Sequence, residues 1–390
     1  MRILAVVSTL DLKYRLGCTP AWWQLLKALH ENDVEVVAVP YLGDAIETLW
    51  WRTYPNAWRL PGTVYYSISR RIAPKKLGSK SRIREGFARI ATNAVTLPIW
   101  KRHILKILEE ERDFDAVMFF NIPLNQIKGI PLEIKKRFNV KTVYYDGDMP
   151  TVLPEHVSGR GFMFDYYQGA DLGEYDLFLV NSEGVMDILK ERGARNVIPL
   201  HYAADPELFH PVDAKKMWDV AFFGYGSQNR EKWMTRMITR PSSESNLSFA
   251  VGGGGFNISL GKASPIGDVP MSEFRRFCCS AKVNLNITRE SHTTTCGSST
   301  ARPFELAAMG CCIVSCPYSG LDKWFKPYRE MIVLSENDNI AEIYRSLVSD
   351  AKRRNEIGEA ARQRLLNDHT YRARASELVK AIGSINWEVS

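Results

Sequence analysis

The chain has 390 residues, of which 45% are hydrophobic and 24% charged, and its formal net charge is +7 at pH 7. This length exceeds one ordinary hydrophobic core, so we expect two domains, and the positive charge favours anionic ligands without identifying them. No apolar run approaches membrane-spanning length, and the opening run at residues 1–7 is too short for the core of a signal peptide. These features exclude a helical membrane protein and predict a large soluble α/β enzyme with no transmembrane segment.

The seven cysteines include two adjacent pairs, Cys278-Cys279 and Cys311-Cys312, and they show neither a Cys-x-x-Cys motif nor a regular spacing. We interpret them as small buried residues in a reducing compartment, which predicts a cytoplasmic protein. The alternative is a zinc site built from His292, Cys296 and the later cysteines. The ligand spacing argues against it, so we expect no metal site.

Apolar segments alternate with helical patterns along the N-terminal half, as a doubly wound sheet requires. The predicted strands cover residues 3–7, 34–39, 116–120, 142–145, 177–180 and 197–200. Functional side chains in such sheets gather beyond the carboxyl ends of the strands. The polar residues found there are Ser8, Thr9, Asp11, Asn121, Asp146, Asp148, Asn181, Ser182 and His201.

The loop after the first strand also holds Arg15 and Gly17, and a helix then begins whose first turn carries Trp22 and Trp23. One indole ring can border a sugar site while the other packs inside; the alternative is that both are core or interface residues. We predict a sugar-binding site in this half of the chain. Its expected contacts are Asp11, Arg15, Gly17, Trp22 and Trp51.

A basic and aromatic segment near residues 50–100 interrupts the alternation. It begins with Trp50-Trp51, and its basic residues include Arg70, Arg71, Lys75 and Lys76. Such residues neutralise phosphates and stack on sugar or base faces, which predicts a polyanionic ligand: an acidic glycan, a lipid-linked phosphate at a membrane surface, or nucleic acid. The alternative is a solvated helical hairpin without a ligand.

The C-terminal half repeats the pattern of strand, turn and helix. A strand that starts near Asp219 ends in the turn Phe223-Gly-Tyr-Gly226, after which a helix starts near Arg230. Further strands are predicted at residues 247–251, 281–286, 311–315 and 332–334, followed by three amphipathic helices. Ser298, Ser299 or Thr300 can cap another helix, which Gly310 ends.

That helix carries one arginine and one carboxylate, Arg302 and Glu305, on an otherwise apolar first turn. Its free amides and its dipole suit a diphosphate, and a carboxylate one turn further in can accept hydrogen bonds from both hydroxyls of a ribose. The pattern predicts a nucleotide-sugar site. The alternative is a glutamate that only complements the helix dipole.

These residues resemble those of the two-domain GT-B glycosyltransferases, and within them the group-one and spore-maturation CgeB-type families. The resemblance covers about residues 197–382 and depends on the order and spacing of short motifs. The motifs are residues 205–211, Phe223-Gly224 with Arg230, residues 269–276 before 284–286, residues 302–305 with Gly310, and residues 369–374. It implies an α/β GT-B fold, in which two Rossmann-like doubly wound domains face a central cleft.

The resemblance also implies domain boundaries and site roles. An acceptor domain covers residues 1–205 with the insertion near 50–100, a donor domain covers 206–365, and a helix within 366–390 packs back on the first domain. The sugar-binding residues Asp11, Arg15, Gly17, Trp22 and Trp51 are then acceptor contacts, and the polyanionic ligand of the insertion is the acceptor. A nucleotide-diphosphate sugar, such as a UDP-sugar, is then the donor substrate, and no cofactor is needed because Arg230, Lys232 and Arg302 replace a metal at the leaving diphosphate. The implied donor contacts are Gly224, Gly226, Arg230, Lys232, Ser299, Thr300, Arg302, Phe304 and Glu305.

The mechanism depends on what takes the acceptor proton. An inverting enzyme needs a base, for which Asp146, Asp148 and His156 are candidates; the alternative for each is a turn-forming aspartate or a surface histidine. Retaining group-one transferases carry a second glutamate eight residues before the ribose one, where this chain has Gly297. We favour retention, with the departing phosphate as base. The predicted catalytic residues are Arg230, Arg302, Asp146, Asp148 and His156.

Other classes fit less well. A dinucleotide fingerprint after Gly224 fails because Asn229 occupies the place of the third glycine, and a hydrolase lacks its Gly-x-Ser-x-Gly motif. A GT-B-like protein that binds nucleotide sugars, glycans or nucleic acid without catalysis is the remaining alternative. The presence of Arg230, Arg302 and Glu305 argues against it.

Overall fold

A computed structural model describes residues 1–10, 21–57, 89–153, 167–226 and 230–385. These residues form two parallel β-sheets with helices between successive strands. The strands are β1 Arg2–Thr9, β2 Glu35–Leu42, β3 Arg52–Thr53, β4 Ala116–Phe120, β5 Lys141–Asp146, β6 Leu177–Val180, β7 Val197–Pro199, β8 Trp218–Tyr225, β9 Phe249–Gly254, β10 Ser264–Gly267, β11 Ala281–Asn286, β12 Ile313–Ser315 and β13 Ile332–Val333. The α-helices are α1 Ala21–His30, α2 Leu97–Glu110, α3 Ile130–Phe138, α4 Met186–Glu191, α5 Glu231–Met234, α6 Arg240–Glu244, α7 Met271–Cys279, α8 Glu290–Thr294, α9 Ala301–Ala308, α10 Ile340–Ser349, α11 Ala351–Asp368 and α12 Tyr371–Gly383.

The first sheet has seven strands in the order β3-β2-β1-β4-β5-β6-β7, all parallel. Its register pairs Ala5 of the central strand with Ala38 on one side and Met118 on the other. Every residue of β4 is buried, as in strands covered on both faces, which explains the unbroken apolar run in the sequence. The six strands predicted in this half are present, and β3 is an additional two-residue edge strand.

The second sheet has six parallel strands in the order β10-β9-β8-β11-β12-β13. Leu285 of β11 pairs with Phe222 of β8 and with Val314 of β12, so the carboxyl ends of these three strands lie side by side. The loops that leave this edge, together with α9, carry the predicted donor residues. The helix α9 ends as predicted at Gly310, which has a φ of +66° and whose N–H donates to the Ala307 carbonyl at 2.9 Å.

The described residues divide into two compact units, each built around one sheet. Residues 1–11, 25–200 and 375–390 belong to the first unit, and residues 12–24 and 201–374 to the second. Within the first unit, Lys141 Nζ donates to the Ile382 carbonyl near the end of α12 at 2.7 Å. No helix in the described part of the chain is both long enough and apolar enough to cross a membrane.

Candidate functional site

Two glycine segments meet at the carboxyl ends of β8 and β9. Gly253 has a φ of +98°, and a Cβ placed on it would lie 1.9 Å from the Gly224 carbonyl oxygen, so only glycine fits there. Gly226 has a φ of +70°, and its N–H donates to the Gly254 carbonyl at 2.9 Å. The predicted donor glycines, Gly224 and Gly226, therefore form a backbone turn held tightly against β9.

Arg230 stands beyond this turn, immediately before α5. Its Nε donates to the Ile287 carbonyl at 2.9 Å, and its Nη1 donates to the Tyr225 carbonyl, which fixes the guanidinium at the ends of β8 and β11. Among the described residues, Nη2 has no hydrogen-bond partner. Burial, and then the positive charge of Arg289, lower the pKa of Arg230 to about 10, a value at which it stays protonated at neutral pH. The anchored cation is suited to an anionic ligand.

Arg289, which follows β11, is a further cation at this site, and it was not among the predicted site residues. Arg289 lies close enough to Arg230 to lower its pKa, and Arg302 contributes in the same direction. The side-chain hydroxyl of the neighbouring Thr288 is buried with no hydrogen-bond partner in the described part of the chain. Thr288 and Arg289 lie directly beyond the carboxyl end of a predicted strand, as Asp146 and Asp148 do. That position is the feature of the sequence that marks them as candidate functional residues.

Helix α9 begins without a capping hydrogen bond from the side chain of its N-cap residue. Thr300 occupies the N-cap position with an extended backbone, but its side chain makes no capping hydrogen bond. The other capping candidates point elsewhere, since Ser298 Oγ donates to the Thr295 carbonyl and Ser299 Oγ accepts from the Tyr202 N–H, each at 2.9 Å. The N-cap side chain therefore leaves the first amides of α9 to other acceptors, as an anion site requires.

Glu305 lies one turn into α9 and is 1% exposed. Arg302 Nη1 donates to its Oε2 at 2.7 Å, whereas Oε1 is buried without a hydrogen-bond partner among the described residues. Burial raises the pKa of the Glu305 carboxyl, and the charge of Arg302 opposes that rise. A buried carboxylate oxygen without a donor is costly unless a ligand supplies one.

Aromatic rings hold Arg302 in place beside this carboxylate. The Arg302 guanidinium carbon lies 4.5 Å from the ring centre of Phe274 and 5.0 Å from that of Phe223. These cation–π contacts, together with the ion pair, orient Arg302 toward Glu305. The structure thus assigns Arg302 a contact that the sequence analysis did not foresee, since it placed this residue at the diphosphate.

Two other predicted donor residues have different surroundings. Phe304 is fully buried and packs against Phe325 and His369, with ring centres 5.5 Å apart in each case, so it anchors α9 in the core and does not meet a ligand directly. Lys232 forms an ion pair with Glu336, and both side chains are more than half exposed. Lys232 therefore already has an acidic partner in this structure.

The predicted base residues lie in the first unit, at the carboxyl end of β5. Asp146 is buried and accepts hydrogen bonds from Tyr167 Oη at 2.7 Å and from the Asp148 N–H at 2.9 Å. Burial raises the pKa of Asp146 to about 7. Asp148 is half-buried and accepts from Asn121 Nδ2 at 3.2 Å, so it is the more accessible of the two carboxylates.

The predicted acceptor residues are only partly described. Trp22 is half-buried on the first turn of α1, whereas Trp51 is 3% exposed and its indole N–H donates to the Ile46 carbonyl at 2.9 Å. The Trp51 ring therefore packs in the interior, where it is not open to an acceptor. The remaining candidates lie outside the described residues: Asp11, Arg15, Gly17, His156, Arg70, Arg71, Lys75 and Lys76.

Comparison with known proteins gives a family match and a fold. Residues 230–380 match a family described as glycosyl transferase-like. The predicted GT-B fold and enzyme class, a glycosyltransferase, are confirmed. No curated protein sequence matches the chain significantly. The match and the structural likenesses do not separate the CgeB-type group from other GT-B glycosyltransferases, so that narrower assignment stays a prediction.

Three solved structures resemble the chain over 98% of its length. Sucrose-phosphate synthase from Thermosynechococcus elongatus is 13% identical, with 98% of both chains covered and a TM-score of 0.64. Anabaena HepE in complex with UDP-glucose is 11% identical over 98% of this chain and 100% of that one, with a TM-score of 0.61. TarM is 8% identical over 98% and 99% of the two chains, with a TM-score of 0.62. At these identities the likeness concerns the fold.

Proposed function

We propose that the chain transfers a sugar from a nucleoside-diphosphate sugar, with the nucleotide held by the second unit. The observation that carries the proposal is the buried Oε1 of Glu305, which lacks a hydrogen-bond donor beside the uncapped amino end of α9. The 2′- and 3′-hydroxyls of a ribose supply donors to such a carboxylate. Because the solved structure of HepE is a complex with UDP-glucose, uridine nucleotides are the first donors to test.

The diphosphate is proposed to bind Arg230, Arg289 and the amides of α9. Nε and Nη1 of Arg230 donate to backbone carbonyls, so the position of the guanidinium is fixed before the donor binds. Its Nη2 is then available to a ligand. As the sugar departs, negative charge grows on the diphosphate, and preorganised cations stabilise that charge. We propose that these groups supply the stabilisation without a metal, and that Arg302 keeps Glu305 ionised and correctly oriented.

Chelation and one arginine variant test this proposal. We expect donor hydrolysis or transfer to persist in EDTA, and Arg230→Ala to reduce kcat at least about tenfold. The matched control is Arg236→Ala, since Arg236 lies in the same helical run and its Nη2 binds the Glu336 carbonyl, so this variant should keep full turnover. Inactivation by EDTA that Mn²⁺ or Mg²⁺ reverses would contradict metal independence. Donor binding without any turnover would favour the non-catalytic alternative.

We propose that the reaction retains the anomeric configuration. Asp146 is a poor candidate for a base because it is enclosed and already accepts two hydrogen bonds. Asp148 is the carboxylate that an inverting reaction would use, so Asp148→Asn separates the two mechanisms. Retention predicts a product with the anomeric form of the donor and measurable activity in Asp148→Asn, both followed by proton NMR. An inverted product would contradict retention.

The acceptor is proposed to be polyanionic, and its recognition is assigned to the basic segment of the first half. Charge contacts of this kind release counterions and weaken as salt rises. Replacing Arg70, Arg71, Lys75 and Lys76 by alanine should raise the acceptor KM and flatten its salt dependence, while donor hydrolysis stays unchanged. An acceptor panel of an acidic glycan, a lipid-linked phosphate and RNA supplies the assay. An acceptor KM and a salt dependence that do not change in this variant would favour the alternative, a solvated hairpin without a ligand.

A further inference from the structure

The helical segment that leads into α2 exposes apolar side chains. Residues 89–110 are helical without a break, and they make one wide π turn at Thr92–Thr96. That turn brings Ile90 and Val95 to the same outer side, where Ile90 is 66% exposed and Val95 is 42% exposed. Single exposed apolar residues are common on proteins, but residues grouped on one side of a helix mark a contact surface.

A second helix extends this apolar surface. Lys101 Nζ in α2 forms an ion pair with Glu133 Oε2 in α3 at 3.1 Å, so the two helices lie side by side. Leu132, the neighbour of Glu133, is 43% exposed. We call the surface formed by Ile90, Val95 and Leu132 the apolar patch.

Basic side chains border the apolar patch. Arg102 lies two helical turns after Val95, Lys136 lies one turn after Leu132, and both cations are exposed. Neither of them forms an ion pair within the described part of the chain. Since the carboxylate of Glu133 is already paired with Lys101, the border of the patch is positively charged.

The charge of the border selects the partner. The sequence that enters the helix, residues 70–89, carries eight basic residues and one acidic residue, Glu85. Exposed aliphatic side chains within a basic border are complementary to a surface that is apolar beneath a layer of negative charge. A second copy of this chain fits less well, because its net charge of +7 would bring like charges together.

We propose that the apolar patch and its basic border dock on an anionic lipid bilayer. The aliphatic side chains enter the boundary between headgroups and acyl chains, while Arg102 and Lys136 contact lipid phosphates. Nucleic acid is a poorer partner, because the aliphatic residues of the patch offer no planar ring on which a base could stack. The docking concerns where the chain is held, and it does not depend on the sugar-transfer proposal.

Flotation of the full chain with lipid vesicles tests the docking. The vesicles contain phosphatidylglycerol and phosphatidylcholine in equal parts and no sugar acceptor, and vesicles of phosphatidylcholine alone are the reference. The chain should bind the anionic vesicles at least about tenfold more tightly than the neutral ones. Binding should weaken as NaCl rises from about 0.1 M to about 0.5 M, because salt screens the attraction between the cations and the lipid phosphates.

An apolar variant locates the contact. Its three substitutions, all at exposed positions where folding should be retained, are Ile90→Gln, Val95→Gln and Leu132→Gln. It should bind the anionic vesicles at least about tenfold more weakly than the wild type, because polar side chains gain little from entering the boundary region. The matched control replaces three exposed apolar residues of the second unit and should bind as the wild type does: Met217→Gln, Ile266→Gln and Tyr328→Gln.

A basic variant tests the border of the patch. Arg102→Gln combined with Lys136→Gln should weaken binding to the anionic vesicles at least about fivefold and reduce its salt dependence. The control pair is Lys352→Gln with Arg353→Gln, since both residues are exposed in the second unit. This pair should leave binding unchanged.

Three results would overturn the docking. Wild-type protein that floats with neither kind of vesicle, or equally with both, would exclude an anionic bilayer as the partner. An apolar variant that is folded by circular dichroism and binds as tightly as the wild type would place the contact elsewhere. A dimer seen by light scattering that only the apolar variant loses would assign the patch to a second copy of the chain.

Discussion

Two buried carboxylates, Glu305 in α9 and Asp146 at the end of β5, have raised pKa values but different surroundings. Glu305 has a cation 2.7 Å away, so the charge of Arg302 opposes the effect of burial on its pKa. Asp146 has a hydroxyl and an amide as hydrogen-bond partners, and the nearby charge of Asp148 adds to the effect of burial. Glu305 is thus suited to accept hydrogen bonds from a ligand, whereas Asp146 is suited to hold a turn.

The raised pKa of Asp146 predicts a pH-dependent stability. The pKa is about 7 in the folded chain against 3.8 for the unperturbed group, so the folded state binds the proton more tightly. Its contribution is fully present below about pH 4 and is lost as the pH rises through 7. Between pH 5 and pH 8 the free energy of unfolding should fall by about 2–3 kcal/mol in the wild type relative to Asp146→Asn.

Urea unfolding of the two proteins at pH 5, 6, 7 and 8 measures this difference. Asparagine keeps the size of the side chain and an oxygen for the Asp148 amide, so the variant isolates the titrating proton. The expected result is that the stability of the wild type, relative to that of the variant, rises by about 2–3 kcal/mol from pH 8 to pH 5. A gap of equal size at pH 5 and pH 8 would show that Asp146 does not titrate in this range.

The positions of charged residues in the candidate site could be predicted where the neighbouring sequence shows a clear pattern. Arg302 and Glu305 stand on the first turn of a helix with a clear start and end, so their position followed from spacing alone. Their pairing did not, because the rings that hold Arg302 come from β8 and α7, which are distant in sequence. Arg289 was missed for the same reason, since its proximity to Arg230 depends on the order of the strands.

The close approach of β8 and β9 is the element-level feature that shapes the candidate site. Gly224 and Gly253 meet backbone to backbone, since a Cβ added to Gly253 would lie 1.9 Å from the Gly224 carbonyl oxygen. A side chain at Gly253 would push the two strands apart and displace the turn that leads to Arg230. The glycine run 252–255 therefore has a packing role that a search for dinucleotide motifs does not capture.

A pair of glycine variants tests this role. Gly253→Ala should destabilise the second unit by at least about 3 kcal/mol, because its positive φ alone costs about 1–2 kcal/mol and the new methyl group meets the Gly224 carbonyl. The control is Gly267→Ala, which has a similar φ of +76° with nothing within 4 Å and should lose only the conformational part. Thermal unfolding compares the two. Equal losses in both variants would contradict the close contact.

Strands and helix ends could be predicted to different degrees. The buried strands β4 and β11 were located to the residue. β4 shows the unbroken apolar run that two covered faces demand, whereas β11 alternates apolar residues with Lys282, Asn284 and Asn286. The edge strands β3 and β10 were not predicted. Each is short and has at least half of its residues exposed, so neither shows an unbroken apolar run. The carboxyl end of α9 was predictable because a left-handed residue is needed there and Gly310 supplies it.

The molecule as a whole consists of two doubly wound units, and its likeness to solved GT-B structures extends over 98% of the chain at 8–13% identity. Alternating strands and helices predicted the doubly wound sheets, because parallel strands require a crossover between them, and the GT-B fold was implied by the resemblance of the short motifs. The substrate could not be predicted in the same way. A fold of this kind hosts many reactions, and specificity resides in the side chains of its loops.

The central claim is that the second unit holds a nucleoside diphosphate through Glu305, and calorimetric titration with UDP and a UDP-sugar tests it most directly. Wild-type protein should bind. Glu305→Ala should bind about 10–150-fold more weakly, since each lost hydrogen bond to a charged group costs about 1.5–3 kcal/mol. Glu342→Ala is the control, because Glu342 is exposed and pairs only with Arg345 among the described side chains. Equal affinity in wild type and Glu305→Ala, with both proteins folded by circular dichroism, would contradict the account.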